Sequence, residues 1–319
     1  MMLIRMLVAY AIRLSLLVSV IFGLSQTVAS PSVASEAIAN EVAANQVAAN
    51  QETGNETGIL WRIEKAGVAP SFLLGTAHVS DPRITNFKQE LNQVLGSVDS
   101  ISLEIDLDPA NQMRMAGMMM VPGGRLEDQL GQAYFEKLMV EMNTLQVPAE
   151  MVQMFKPWAA ALAISLPANH NASQAMDVLI YQFAHANGKA FHALETIEEQ
   201  IGVFENLTPA HQITFLQLTI DSLSVRDTLY EEVLDAYLAS DLGLLMMINE
   251  ESMIMAPPDF VEPLMYALVD LRNLGMLQRM QPRLAEGNAL VAVGALHLPG
   301  EQGLLALLRG QGFKVSAIY

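Results

Sequence analysis

Two histidines follow apolar, strand-like segments near the two ends of the predicted folded region, each three residues after a glycine. The first segment reads SFLLGTAH and ends at His78, and the second reads LVAVGALH and ends at His297. A buried strand requires the apolar run, and we expect Gly75 and Gly294 to permit tight turns that other residues resist. If the two strands are neighbours, both imidazoles face one point, which predicts a site for a divalent transition metal.

Two glutamates end the other predicted strands. Glu104 lies at the end of the apolar run 98–105, and Glu195 directly follows the run 189–194. Ligands in open α/β sheets gather at the carboxyl ends of strands, so we expect all four side chains to meet there. Two histidines with one or two carboxylates suit zinc, manganese, iron or cobalt, and a free carboxylate can act as general base. Taken singly, each residue also fits a structural role, as a turn hydrogen bond or a helix cap.

Arg272 lies on a predicted helix that precedes the last apolar strand. Its guanidinium can bind a substrate carboxylate or stabilise a developing oxyanion. The alternative is a surface ion pair with Asp270 or Glu262, and the sequence leaves both interpretations open.

The composition narrows the class of protein. The chain has 319 residues, a formal net charge of −17 and no cysteine. The negative charge argues against nucleic acid and anionic membrane surfaces as partners. The lack of cysteine excludes disulfides, thiolate zinc sites and cysteine nucleophiles, so a hydrophobic core must hold the fold together.

The N-terminal region predicts export. Residues 1–29 contain an apolar core, Leu14–Leu24, preceded by Arg5 and Arg13 and followed by small residues, with cleavage expected after Ala29 or Ala34. This core is typical of a signal peptide and short for a membrane span. We therefore expect a periplasmic or secreted protein. The alternative is an uncleaved N-terminal anchor, which would be its one contact with the membrane.

Residues 30–58 contain the repeat AIANEVAANQVAANQ and are predicted to form a low-complexity linker, which leaves 59–319 as the folded domain. Strands alternate with helices at both ends of this domain, around a long region of helical spacing. The pattern predicts an α/β (α+β) fold in which two related β/α halves form a central sheet with a large helical insertion.

The chain has 20 methionines, with a cluster at Met113, Met115 and 118–120. Thioethers can bind copper(I), and flexible methionine surfaces accept apolar peptides. Core filling within helices is the simpler interpretation. The other histidines, His170, His185, His192 and His211, show no ligand spacing and are interpreted as structural.

From about residue 60 to the C-terminus the chain resembles the TraB/GumN family, which is related to the TraB and PrgY pheromone-shutdown proteins and the Tiki metalloproteases. The segments that carry the resemblance are LLGTAHVSDP, SISLEIDLDP, FKPWAAAL, MDVLIYQFAHANGKAFHALETIEEQ, LRN and VAVGALHLPGEQGLLALLRGQGFKV. Paired G-x-x-H motifs, a glutamate and an arginine are the proposed active-site set of that family. An aromatic residue often follows its R-N pair, where this chain has Leu274-Gly275-Met276.

The resemblance implies a metal-dependent hydrolase that acts on peptide or protein substrates, and the N-terminal region adds that this enzyme is exported. His78 and His297 would hold one divalent ion (Mn, Co, Zn or Fe) together with Glu104. Glu195 would serve as base or second carboxylate ligand, and Arg272 would stabilise the oxyanion. Two alternatives are a non-catalytic protein that sequesters peptides, as in pheromone shutdown, and a haem- or metal-binding protein.

Overall fold

The computed structural model describes residues 56–253 and 256–319. The predicted signal peptide and nearly all of the predicted linker therefore lie outside the described residues. Within the described part of the chain, no helix is long and apolar enough to cross a membrane.

The strands of the described region form one mixed sheet with the order β4-β3-β5-β2-β1-β6. They are β1 (Leu60–Glu64), β2 (Ser71–Thr76), β3 (Ser100–Leu103), β4 (Ala190–Ala193), β5 (Ala289–Gly294) and β6 (Lys314–Ala317). Neighbours among β4, β3, β5 and β2 are parallel, whereas β1 pairs antiparallel with both β2 and β6. The predicted α/β fold is confirmed. The two ends of the domain interleave, because β5 lies between β2 and β3.

The middle of the sheet is the centre of the core. Every residue of β3 and β5 is buried, whereas the edge strands β4 and β6 are partly exposed. Parallel strands that are covered on both faces need continuous apolar runs, and the LVAV segment of β5 provides one. This packing fixes the strand ends that carry the two histidines.

The first helices connect β2 to β3 and fill the long segment before β4. They are α1 (Pro82–Thr85), α2 (Gln89–Ser97), α3 (Pro109–Met118), α4 (Leu126–Leu130), α5 (Gln132–Thr144), α6 (Ala149–Met154), α7 (Pro157–Ser165) and α8 (Met176–Ala186). In the methionine cluster, Met115 and Met119 are buried and Met113 is exposed. The cluster therefore mainly fills the core.

The second group of helices separates β4 from β5 and then joins β5 to β6. It comprises α9 (Ile197–Glu205), α10 (Pro209–Ser222), α11 (Arg226–Leu238), α12 (Leu242–Met253), α13 (Pro258–Met265), a π-helix (Tyr266–Asp270), α14 (Leu271–Glu286) and α15 (Leu304–Gly310). Within the described residues, short 3₁₀ helices cover Ala172–Gln174, Leu223–Val225 and Ala295–His297.

Helix α9 begins in a capping box directly after Glu195. The Thr196 hydroxyl accepts from the Glu199 backbone N–H, and the Glu199 carboxylate accepts from the Thr196 backbone N–H. Such a cap satisfies backbone donors that a helix start otherwise leaves without partners. The Glu199 carboxylate also pairs with Arg279 of α14 at 2.6 Å, which ties the two helices together.

Two strands are shorter than the sequence predicts. The predicted strand 98–105 is paired only over Ser100–Leu103, because Val98 still closes helix α2 through its N–H bond to Val94. The predicted strand 189–194 is paired over Ala190–Ala193. Glu104 and Glu195 therefore lie one and two residues beyond the paired segments, at the carboxyl edge of the sheet.

Candidate metal and catalytic centre

All four residues predicted at strand ends lie at the same edge of the sheet. His78 follows β2, Glu104 follows β3, Glu195 follows β4 and His297 ends the 3₁₀ turn after β5. With Arg272 they form one buried group in which no member is more than 6% exposed. The parallel pairing of β2 with β5 and of β5 with β3 brings these side chains together.

Glu104 is at the centre of the group, and its two oxygens have different surroundings. Oε1 lies 3.9 Å from His78 Nε2 and 3.7 Å from His297 Nε2, and it accepts the backbone N–H of Gly294 at 2.7 Å. Oε2 accepts from Arg272 Nη2 at 2.6 Å and from Gln200 Nε2 at 2.8 Å. We call the surroundings of Oε1, with His78 and His297, the histidine half. The surroundings of Oε2, with Arg272, Glu195 and Gln200, are the arginine half.

The His78 ring is held by a carboxylate. Its Nδ1 lies 2.6 Å from Asp177 Oδ2, and Thr76 Oγ1 donates to the other Asp177 oxygen at 2.8 Å. A carboxylate only accepts, so Nδ1 carries the hydrogen and a neutral His78 presents a lone pair at Nε2. Burial lowers the pKa of His78, but the charge and hydrogen bond of Asp177 outweigh it, and the pKa lies above its usual value.

The His297 ring is held by a carboxamide instead. Asn273 Nδ2 donates to the backbone oxygen of Gln302, so Asn273 Oδ1 faces His297 Nδ1, at 2.8 Å, and accepts its hydrogen. Nε2 is again left with a lone pair. Burial and the nearby Arg272 charge lower the pKa of His297 to about 3, so this ring is neutral at physiological pH.

The arginine half is a closed network of charges. Arg272 Nε lies 3.0 and 2.9 Å from the two Glu195 oxygens, and Nη2 donates to Glu195 Oε2 at 2.6 Å as well as to Glu104. Nη1 donates to the backbone oxygen of Leu268 at 3.1 Å. The alternative of a surface pair with Asp270 or Glu262 is therefore wrong, because Arg272 is buried between two glutamates.

The same network gives the two glutamates different pKa values. Burial raises the pKa of Glu104, but Arg272 and the facing histidines outweigh it and hold the pKa at about 2. Burial also raises the pKa of Glu195, and there Arg272 offsets the effect only in part, so the pKa stays above its usual value. Two carboxyl groups whose pKa values are driven apart suit different chemical roles.

The two motif glycines are required for space, which corrects the prediction of an unusual backbone conformation. Neither has a positive φ. A Cβ on Gly75 would lie 3.1 Å from the Ala295 backbone, so this glycine lets β2 pack against the turn after β5. A Cβ on Gly294 would lie 3.3 Å from Glu104 Oε1 and 3.5 Å from both His297 Cδ2 and His78 Nε2. Glycine thus keeps a side chain out of the point on which the histidine half converges.

The histidine half fits a divalent ion in its chemistry. Both Nε2 atoms are buried and have no hydrogen-bond partner, and they face an ionised carboxylate oxygen. Two ligand atoms that each lie about 2.1 Å from one ion are at most roughly 4.2 Å apart. The distances from Glu104 Oε1 to the Nε2 atoms of His78 and His297, 3.9 and 3.7 Å, are both shorter than this limit. Among residues 56–253 and 256–319, no three histidine, aspartate or glutamate side chains are arranged so that they could hold a metal ion as they stand. The fit therefore rests on the donor atoms and their lack of other partners.

A cleft of about 730 Å³ reaches the arginine half from the surface. Helix α9 forms one wall and α14 the other, and Glu195 and Arg272 belong to its lining. A second cavity, of about 40 Å³, is lined by Thr76, by Gly294 and by mainly apolar side chains, of which several belong to α11. The larger cleft is the better route for a substrate to the centre.

The sequence analysis assigned no role to the residues that orient the five predicted site residues. Asp177, Asn273 and Gln200 all lie in segments that resemble the family, but their spacing from their partners carries no signal. Asp177 is 99 residues from His78, and Gln200 is 96 residues from Glu104. Their one common feature is a polar side chain near the start of a helix that packs on the sheet edge.

A comparison with known protein families matches residues 59–317 to the TraB/PrgY/gumN family. No curated protein and no solved structure matches the chain.

Proposed function

The chain belongs to the TraB/PrgY/gumN family, and from that premise we propose that it is an exported, metal-dependent hydrolase that cleaves peptides. The observation that carries the proposal is the histidine half, in which two buried, unpartnered Nε2 atoms face one carboxylate oxygen. His78, His297 and Glu104 would hold one divalent ion of manganese, cobalt, zinc or iron. Such an ion supplies a Lewis acid for a peptide carbonyl oxygen.

Glu104 is suited to the ligand role because it stays ionised. Its pKa of about 2 keeps the negative charge at any physiological pH. Its Oε2 is fixed by Arg272 and Gln200, so Oε1 points at the two imidazoles without freedom to turn away. Carboxylates that bind metals are commonly hydrogen-bonded in this way.

Glu195 is suited to the general-base role. It lines the cleft, and its raised pKa brings it closer to the range in which a carboxylate exchanges protons at neutral pH. Hydrolysis adds the elements of one water across the C–N bond. Glu195 would take one proton from the water as its oxygen joins the carbonyl carbon, and would return that proton to the leaving nitrogen as the bond breaks.

Arg272 contributes mainly by positioning. Its guanidinium has five N–H groups, and those at Nε and Nη2, with one at Nη1, already donate to Glu195, Glu104 and Leu268. One N–H at Nη1 is left for a developing oxyanion. The role predicted from sequence is thus limited to that donor, while the other donors hold the two glutamates apart and oriented.

The test uses two conservative variants with different expected defects. Glu195→Gln should retain metal and peptide binding but lower turnover by ~10²–10⁴-fold, because the proton acceptor is lost while an oxygen remains to accept from Arg272. Glu104→Gln should lose the metal. Cleavage is followed by mass spectrometry on an unbiased peptide library with Mn²⁺, Co²⁺ or Zn²⁺ supplied.

If the wild-type protein binds peptides but cleaves none with any of these metals, the sequestering alternative replaces the hydrolase. That alternative draws little support from the methionines, because Met115 and Met119 are buried. Haem capture is also disfavoured, since both free imidazole nitrogens face a carboxylate instead of an apolar cavity.

Export is supported by the sequence of residues 1–29. Mass spectrometry of the protein from its native envelope should give a chain that begins at Ser30 or Ser35. An intact chain in the cytoplasm would contradict the proposal.

A further inference from the structure

The cleft between α9 and α14 has a glycine in the middle of each wall. Gly202 lies within α9 (Ile197–Glu205), and Gly275 lies within α14 (Leu271–Glu286). Glycine is a much weaker helix former than alanine. Both walls therefore carry a residue that weakens the helix to which it belongs.

Packing against the protein does not explain either glycine. A Cβ on Gly275 would meet nothing within 4 Å, and one on Gly202 would meet only the Asn206 side chain, at 3.9 Å. Alanine would fit at both positions and favour the helix. Both glycines line the cleft together with Glu195 and Arg272, and they keep side-chain bulk out of it.

The charges of the cleft are paired within the protein. Glu195 pairs with Arg272, Glu198 with Arg114, and Glu199 with Arg279. A cleft whose acidic groups are already matched by arginines does not select its ligand by charge. This argues against phosphorylated or strongly acidic ligands.

The remaining lining has two chemical parts. On α14, Leu271 and Leu274 are 53% and 47% exposed, which is high for leucine, and they are on the same side of the helix as Gly275. The carboxamides of Gln278 and Gln311 add groups that both donate and accept hydrogen bonds. Exposed leucines suit an apolar side chain, and carboxamides suit the N–H and C=O groups of a peptide main chain.

We propose that this cleft binds an uncharged, extended peptide segment with an apolar side chain against Leu271 and Leu274, and that Gly202 and Gly275 leave room for its main chain. The proposal rests on the proposed function in that it places the scissile bond beside Glu195. It names the substrate class and the surface that selects it. A volume of about 730 Å³ lies within the ~300–1,000 Å³ typical of ligand sites.

The test fills the cleft from each wall in turn. Gly275→Leu and Gly202→Leu place a side chain in the cleft, and both should fold because the Cβ positions are open and leucine favours helices. Gly275→Ala serves as a check that the position tolerates a side chain. The matched control is Gly96→Leu, since Gly96 lies in helix α2, also has open space around its Cβ, and is not part of the cleft.

The probes are capped decapeptide libraries, one without charged residues and two with added Lys or Glu. Binding to the full, untagged chain is measured by affinity-selection mass spectrometry, and metal content is measured in the same samples. The wild type should retain uncharged peptides that contain apolar residues. Each cleft leucine variant should retain at least about tenfold less, whereas Gly96→Leu should stay within about twofold of the wild type.

Equal retention by Gly275→Leu and the wild type would overturn the inference, as would equal retention of the charged libraries or no retention at all. Glycine-dependent retention by a protein that binds no metal would instead count against the proposed function and leave the inference standing. If the protein binds metal but the glycine variants retain as much peptide as the wild type, the inference about the cleft is wrong and the proposed function stands.

Discussion

The two halves of the centre share Glu104 but differ in how completely their polar atoms are paired. In the arginine half, Arg272 and Gln200 saturate one Glu104 oxygen, and Glu195 is bound along the same guanidinium. In the histidine half, both imidazoles are fixed through Nδ1 while both Nε2 atoms have no hydrogen-bond partner. Buried polar atoms are nearly always paired, so atoms that are oriented but unpaired mark where a ligand is expected. The arginine half holds the two glutamates in place, and the histidine half is where a metal ion is expected.

The largest effect on folding should come from breaking the arginine half. Arg272→Met removes the cation from between two buried carboxylates and should lower the free energy of unfolding by about 3–5 kcal/mol. Urea denaturation measures the change. Arg114→Met, which removes an exposed pair with Glu198, is the control and should leave the unfolding midpoint nearly unchanged. Similar midpoints for the two variants would mean that the arginine half does not stabilise the fold.

A smaller effect, on metal binding alone, should come from the support of His78. Asp177→Asn keeps the shape and an acceptor but removes the charge that makes the imidazole a stronger donor, and metal affinity should fall ~10–100-fold. Isothermal titration calorimetry with Zn²⁺ or Mn²⁺ gives the value. Asp221→Asn, which changes an aspartate whose hydrogen bonds to Tyr134 and Lys137 are exposed, is the matched control. Unchanged affinity in Asp177→Asn would show that the ion is not bound through His78.

The smallest effect is a pH dependence that distinguishes the two histidines in the metal-free protein. The pKa of folded His297, about 3, is below the unfolded value of 6.5. The unfolded chain therefore binds the proton first, and stability falls by at most about 1.4 kcal/mol per pH unit below 6.5. The pKa of folded His78 is raised, so its contribution is complete below 6.5 and is lost as the pH rises through the folded value.

Urea unfolding of chelated protein between pH 5 and 9 resolves the two contributions. His297→Gln should flatten the loss of stability on the acidic side, and His78→Gln should flatten the loss on the alkaline side. If both variants change the same side, then the Asp177 charge does not keep His78 protonated, or burial beside Arg272 does not keep His297 neutral.

The sheet edge was predictable from sequence because it depends on local patterns. In LLGTAH and AVGALH the histidine follows the end of a buried apolar run. Parallel strands place the residues that follow such runs at one edge of the sheet. The prediction that the two histidines converge depended on β2 and β5 being neighbours, and the structure places these two strands side by side. This reasoning located His78, His297, Glu104 and Glu195.

The arginine half was less predictable because its contacts are far apart in sequence. Arg272 reaches Glu104 across 168 residues and Glu195 across 77. In the sequence alone, Glu262 and Asp270 are near enough to Arg272 to serve as its ion-pair partners. Only the packing of α14 against the sheet edge turns Arg272 inward, and that packing depends on side-chain shapes that periodicity does not encode. Asp177 and Asn273 were given no role for the same reason.

The most direct test of the central claim is the metal content of the untagged protein after saturation with Mn²⁺, Co²⁺ or Zn²⁺ and removal of free metal. Inductively coupled plasma mass spectrometry on the wild type, His78→Ala and His297→Ala gives the stoichiometry. We expect a single ion per chain in the wild type and none above background in either variant. Full metal content in both variants, or no retained metal in the wild type, would contradict the assignment of the histidine half as a metal site.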